Sequence, residues 1–127
     1  MLFRSNDTAT TEIYTLNLLA VFSDPHSAVR ASVEIQRKLR KANEGKHDRD
    51  QFHLSIGIEC GPAIVLTDNI YGACVNVASK VGEDLAGKGQ ILVTSGVARQ
   101  VRPTFRAAYD RSVEIGGRPF ELFRIPY

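Results

Sequence analysis

The sequence predicts an α+β domain, in which helices pack on one face of a sheet. Two long segments have apolar residues at helical spacing, and several short segments have the alternation or the apolar density of strands. Both helical segments fall between strands along the chain. The length of 127 residues and the hydrophobic fraction of 43% suit a single domain spanning residues 1–127.

The first half of the chain predicts strands around one long helix. Residues 13–22 are apolar and β-favouring, and they predict two short strands that turn near Leu16 and Asn17. Asp24 and Pro25 have the chemistry of an N-cap and a first helical residue. The loop after this helix contains Gly45. The helix is predicted from an apolar stripe formed by Ala28, Ala31, Ile35 and Leu39.

Residues 52–59 alternate strictly between apolar and polar side chains, which predicts a half-buried strand that stops at residues 60–62. Residues 63–66 predict a short strand, and residues 90–93 another. Ser95 is expected to cap a short helix ending at Val101, and residues 105–115 and 120–125 to form a hairpin around Gly116 and Gly117. The second long helix, residues 72–85, is predicted from a face formed by Cys74, Ala78, Val81 and Leu85.

Composition excludes several classes of function. The net charge of +2 is too small to indicate a nucleic-acid partner, and the basic residues at 37–41 suit the solvated end of a helix. No apolar run approaches the roughly 20 residues of a membrane span, and no signal peptide is recognisable. Cys60 and Cys74 are expected to be buried, reduced thiols of a cytoplasmic chain. The scattered histidines and cysteines give no metal-binding spacing.

Three stretches resemble the catalytic domain of class III adenylate and guanylate cyclases. They are NLLAVFSDPHSAVRASVEIQRKL, FHLSIGIECGPAIVLTDNIYGACVNVASKV and GKGQILVTSGVARQV, which occur in the family's order over residues 17–101. The resemblance implies a ferredoxin-like fold that works as a dimer with nucleotide sites at the interface. It also implies that most of the family's N-terminal block, which is a strand with an F-x-D-I motif, two helices and another strand, is missing here.

The resemblance puts the metal site in doubt. The family holds Mg²⁺ or Mn²⁺ between two aspartates, one of them on the N-terminal strand. The second aspartate aligns with Leu16, and an isobutyl group cannot coordinate Mg²⁺, which requires oxygen ligands. We therefore expect no metal cofactor and no cyclase activity from the chain alone.

Base recognition in the family uses a lysine and an aspartate, which align here with Glu12 and Asn69. A carboxylate and an amide at these positions suit guanine better than adenine. Asp68 becomes the counterpart if the loop is shifted by one residue. The alternative is that Glu12 and Asn69 are surface residues under no ligand constraint.

The family's transition-state contacts are an asparagine and an arginine one helical turn apart. Asn76 matches the asparagine, and Lys80 replaces the arginine, which keeps the charge without the planar fork that grips two phosphate oxygens. Asn76 could instead be an amide capping the start of a helix. A late phosphate-binding lysine of the family aligns with Gly116.

Three functions remain open from the sequence. The first is a non-catalytic dimerisation or regulatory module in cyclic-nucleotide signalling, which pairs with itself or with another cyclase-type domain. The second is the metal-free half of a heterodimeric cyclase, to which Glu12, Asn69, Asn76 and Lys80 would contribute. The third is a sensor that binds a purine nucleotide without turnover.

Overall fold

The structure is a computed structural model that describes residues 2–7 and 14–127. A 3₁₀ turn at Asp48–Asp50 follows the first helix, and a π-helical turn at Val81–Leu85 continues the second. The helices and strands are β1 (Leu2–Asp7), β2 (Tyr14–Leu19), α1 (Pro25–Asn43), β3 (Phe52–Ile58), β4 (Ile64–Val65), β5 (Ile70–Tyr71), α2 (Ala73–Lys80), β6 (Ile91–Thr94), α3 (Ser95–Val101), β7 (Ala108–Ile115) and β8 (Arg118–Arg124).

The main sheet has the strand order β2-β1-β3-β6-β8-β7. Its neighbouring strands are antiparallel except for β3 and β6, which run parallel. Strands β4 and β5 pair separately, with Ile64 opposite Tyr71. The predicted α+β class with a mainly antiparallel sheet is confirmed. β1 lies between β2 and β3 in a segment for which the sequence predicted no strand.

Helices cover both faces of this sheet. Residues that alternate along a strand point to opposite faces, so Val93 and Leu92 of β6 enter different cores. Helices α1 and α3 pack on the Val93 side, whereas Val77 of α2 and Val81 of the π-helical turn pack on the Leu92 side. Helix α2 thus departs from the predicted arrangement, in which one face carried all the helices.

Gly57 lets helix α2 approach the backbone of the sheet. A Cβ atom on Gly57 would lie 2.3 Å from the backbone nitrogen of Gly82 and 2.7 Å from the carbonyl oxygen of Ala78. No side chain fits at such distances, and the contact therefore requires glycine. It places the buried side of α2 against β3 and leaves the opposite side of the helix facing outward.

Helix α1 begins as the sequence predicted. The Asp24 carboxylate caps the helix by accepting from the backbone N–H of Ser27 at 2.8 Å, and Pro25 is the first helical residue. The buried face differs from the predicted stripe, since Ala31, Ile35 and Leu39 are half-buried. The fully buried residues are Ala28, Val29, Ser32, Val33 and Gln36. Gln36 belongs there because its amide donates to the carbonyl oxygen of Leu54 at 2.8 Å.

Several strand predictions are confirmed, and others are corrected. The strand at 52–58, the strand at 91–94 and the terminal hairpin are present, and Gly116 and Gly117 turn that hairpin with φ of +58° and +76°. Residues 14–19 form one strand and not two, because the pairing with β1 passes through Leu16 and Asn17 without interruption. Strand β3 is buried on both faces from Leu54 to Ile58, since helices lie on both sides of it.

Two predicted helix features are also corrected. Helix α2 ends at Lys80, before the π-helical turn, and its fully buried residues are Val77 and Ala78, whereas Cys74 and Leu85 are half-buried. Ser95 is the first residue of α3 and not its cap. Thr94 occupies the N-cap position without capping the helix, because its hydroxyl group is used elsewhere.

Candidate functional site

The β4–β5 hairpin carries two of the sequence-predicted base contacts, Asp68 and Asn69. The backbone N–H of Leu66 donates to the carbonyl oxygen of Asn69 at 2.8 Å and closes the turn between the strands. The Asn69 side chain donates to the hydroxyl of Tyr71 at 3.2 Å and accepts from the backbone N–H of Ile70 at 2.9 Å. Asp68 and Asn69 are both exposed. The local contacts of Asn69 are those of a turn residue, which supports the surface alternative at this position.

Helix α2 carries Asn76 and Lys80 on its outward side, four residues apart and therefore on one face. Asn76 is exposed, and its side chain makes no hydrogen bond within residues 17–127. The helix start has no side-chain cap, so the capping alternative for Asn76 is wrong. Lys80 forms an ion pair with Asp84 at 2.7 Å, with both side chains half-exposed. The predicted spacing of the two residues is thus retained, with Asn76 available to a ligand.

Three sequence-predicted positions remain. Glu12 lies outside the described residues. The backbone of Leu16 lies in β2, paired with Ser5 of β1. Gly116 occupies the β7–β8 turn, where a side chain would find no atom within 4 Å.

No cluster in the described part of the chain fits a metal ion. Among residues 17–127, no three histidine, cysteine, aspartate or glutamate side chains lie together in a way that could hold one. Also within that part, no helix has the length and apolar character needed to cross a membrane.

A cleft of about 160 Å³ opens between the start of α1, the end of β3 and the start of α2. Ile70 and Val75 line it, each next in sequence to a predicted contact, Asn69 or Asn76. The predicted contacts themselves lie outside its lining. Sequence reasoning therefore identified the neighbourhood of the cleft and missed the residues that form its walls.

Glu59 is the principal polar residue that sequence reasoning missed. It follows β3 directly, and its Oε1 accepts from the hydroxyl of Thr94 at 2.6 Å and from the backbone N–H of Cys60 at 2.9 Å. In the alternating pattern of β3, Glu59 occupied a position assigned to solvent. The sequence feature that could have identified Glu59 is its position at the carboxyl end of a buried strand.

Two groups that line the cleft have shifted pKa values. Partial burial raises the pKa of the Cys60 thiol, and the neighbouring Glu59 carboxylate raises it further. Hydrogen bonds from the backbone and hydroxyl of Ser27 lower the pKa of Asp24. Cys60 and Cys74 are both half-buried, so the expected full burial of the two thiols is wrong.

Comparison with known proteins identifies the fold of this chain. No protein-family model and no curated protein matches the sequence. Solved structures do match: an adenylate/guanylate cyclase/hydrolase from Silicibacter pomeroyi has a TM-score of 0.70 and 20% identity, over 94% of this chain and 70% of that one. The chain has the fold of a nucleotide cyclase catalytic domain.

Two further cyclases show the same fold. The guanylyl cyclase Cya2 matches with a TM-score of 0.61 and 19% identity, over 96% of this chain and 69% of that one. The guanylate cyclase domain of RhGC from Catenaria anguillulae, solved in complex with GTP, matches with a TM-score of 0.62 and 12% identity, over 97% of this chain and 72% of that one. The cyclase fold expected from the sequence resemblance is thereby confirmed.

Proposed function

We propose that this chain is a non-catalytic cyclase-like module in cyclic-nucleotide signalling, which acts by pairing with a second cyclase-type domain. A copy of itself is the first candidate partner. The observation that carries the proposal is the exposed apolar surface of the β4–β5 hairpin. We call it the hairpin patch, and it comprises Ile64, Val65, Leu66 and Tyr71.

The hairpin patch is unusual for a surface that faces water. Its side chains are exposed by 64%, 64%, 53% and 52% in sequence order. The hairpin also lies outside the main sheet, and a two-stranded hairpin is at best marginally stable in water by itself. Several large apolar residues exposed on one hairpin are consistent with an interaction surface. An open groove of about 390 Å³ beside Ile64 and Tyr71 offers a partner a place to insert a side chain.

The oligomeric state tests the pairing. Sedimentation velocity should show a dimer for the wild type and a monomer for Ile64→Asp, because the substitution places a charge in the interface. Tyr109→Asp is the matched control, since Tyr109 is 57% exposed on β7 and lies outside the hairpin patch. A wild-type chain that stays monomeric at the highest concentration reached, or an Ile64→Asp dimer, would contradict self-association.

The absence of catalysis has its own test. Removal of one electrostatic stabiliser costs about 10²–10³ in the rate of an enzyme, and here the aligned metal ligand is Leu16 and the aligned arginine is Lys80. We therefore expect no cyclic nucleotide from GTP or ATP with Mg²⁺ or Mn²⁺. Product that a chelator abolishes would contradict this half of the proposal, whatever the oligomeric state.

A second candidate is the metal-free half of a heterodimeric cyclase. The exposed Asn76, on one face of α2 with Lys80, favours it, because both side chains face away from the core. Mixing the chain with a metal-bearing cyclase domain and GTP or ATP should then give cyclic product, and Asn76→Ala should abolish it. The same substitution leaves the core untouched, so unchanged thermal unfolding serves as the control. If no partner gives product, titration of labelled GTP and ATP without metal tests whether the chain is a purine nucleotide sensor.

A further inference from the structure

The cleft between α1, β3 and α2 has a wall that is somewhat more apolar than polar. Its lining includes Leu19, Phe22, Ala28, Ile58, Ile70 and Val75. Its volume of about 160 Å³ suits a compact molecule smaller than a typical drug-sized ligand. An apolar wall of this kind favours the apolar body of a ligand, and the polar groups that break the wall determine which ligand binds.

Glu59 is the polar group whose hydrogen bonds are incomplete. Both donors that contact it, the Thr94 hydroxyl and the Cys60 N–H, bond to Oε1. Within residues 17–127 no donor bonds to Oε2, and no lysine, arginine or histidine forms an ion pair with this carboxylate. Glu59 is half-buried, and a carboxylate removed in part from water is normally paired with a cation.

The charge of the cleft lining also favours a positively charged ligand. It contains the carboxylates of Asp24 and Glu59 and no lysine, arginine or histidine. The oxygens of Asp24 already accept from Ser27 and Ser23 around the start of α1. Glu59 Oε2 is therefore a carboxylate oxygen to which no donor within residues 17–127 is bonded, and the lining to which Glu59 belongs carries negative charge and apolar side chains.

We propose that this cleft binds a compact organic ammonium ligand, whose N–H groups donate to Glu59 Oε2 while its apolar body packs against the wall. The ligand supplies the positive charge that the described lining lacks. The two carboxylates disfavour anionic ligands, and a neutral ligand of the same shape lacks the charge-assisted hydrogen bond. The inference is independent of the proposed pairing, because the hairpin patch and Glu59 are tested by different substitutions.

The experiment is an NMR titration of the ¹⁵N-labelled chain with phenethylammonium. The amides of Cys60, Gly61 and Val75 should shift in a saturable manner. Glu59→Gln should weaken binding about tenfold or more, because a hydrogen bond to a charged group is lost and a donor replaces the acceptor. This variant keeps an oxygen for Thr94 and Cys60, so the fold is expected to persist. Glu121→Gln, at an exposed position on β8, removes the same charge outside the cleft and should change nothing.

A second measurement does not depend on any variant. The neutral alcohol 2-phenylethanol should bind the wild-type chain at least about tenfold more weakly than the ammonium. Equal binding of the two compounds, equal binding by wild type and Glu59→Gln, shifts that map outside the cleft, or no saturable shift at all would each overturn the proposal. Sedimentation of the same samples reports the pairing separately, so failure of one proposal is distinguishable from failure of the other.

Discussion

Gly57→Ala should destabilise the protein more than the addition of one methyl group to a packed core normally does. The new Cβ would lie 2.3 Å from Gly82 N, 2.7 Å from Ala78 O and 2.8 Å from Gly82 Cα. All three atoms belong to backbone, so no side-chain rotation relieves the overlap and helix α2 must move away from β3. Overpacking of a core typically costs about 1–3 kcal/mol. We expect the upper end of that range, about 3 kcal/mol.

Urea unfolding followed by circular dichroism measures this cost. With an m-value of about 1–3 kcal/mol/M, a loss of about 3 kcal/mol lowers the midpoint by about 1 M or more. Protein concentration is held constant, because self-association contributes to apparent stability. Gly96→Ala in α3 is the matched control, since its Cβ would lie at an ordinary 3.6 Å from Cys60 Sγ, and a glycine-to-alanine change in a helix stabilises by about 0.5–1 kcal/mol. A Gly57→Ala midpoint equal to that of the wild type would refute the reasoning.

Three further predictions concern single side chains. Ser27 holds the pKa of Asp24 below its usual value, so the stability that this cap contributes is present above the pKa of the unfolded carboxyl and is lost as pH falls through the lower folded value. Asp24→Ala should therefore flatten the acid limb of a circular-dichroism pH titration. Burial raises the pKa of Cys60, so in a Cys74→Ala background iodoacetamide should alkylate it more slowly in the folded chain than in urea, as mass spectrometry would show. Tyr127→Phe removes the hydrogen bond from the tyrosine hydroxyl to the carbonyl oxygen of Gly89 and should cost about 1 kcal/mol in urea unfolding.

The sequence predicted best the elements that local chemistry determines. Asp24 followed by Pro25 specifies a helix start without reference to the rest of the chain, and the structure has that cap. Two consecutive glycines between apolar runs specify a hairpin turn, because both residues adopt positive φ. These two predictions succeeded because the determining contacts lie within a few residues along the chain.

Prediction failed where distant contacts decide burial. The polar positions of β3 read as a solvent face, yet Ser55 is buried because its hydroxyl donates to the carbonyl oxygen of Gly87 at 2.9 Å. Gln36 is buried for a similar reason, because its amide donates to the carbonyl oxygen of Leu54. Such partners lie far away in sequence, and no periodicity within one element reveals them.

The candidate site was predicted in part for the same reason. Asn76 and Lys80 share a helix, so their spacing alone placed them on one face. Glu59 gains its surroundings from Thr94, which is 35 residues away. A cleft wall assembled from three separate elements has no local sequence signature.

The two sides of helix α2 and the π-helical turn that continues it differ in how much a substitution should cost. Its inner side is fixed by the contact between Gly57 and Gly82, where even a methyl group does not fit. Its outer side carries Lys80, whose exposed ion pair with Asp84 is worth only about 0.3–0.5 kcal/mol. Substitutions on the outer side therefore cost little stability, whereas those on the inner side cost several times more. Selection for folding would therefore constrain the inner side of this segment more strongly than its outer side, whatever the outer residues do.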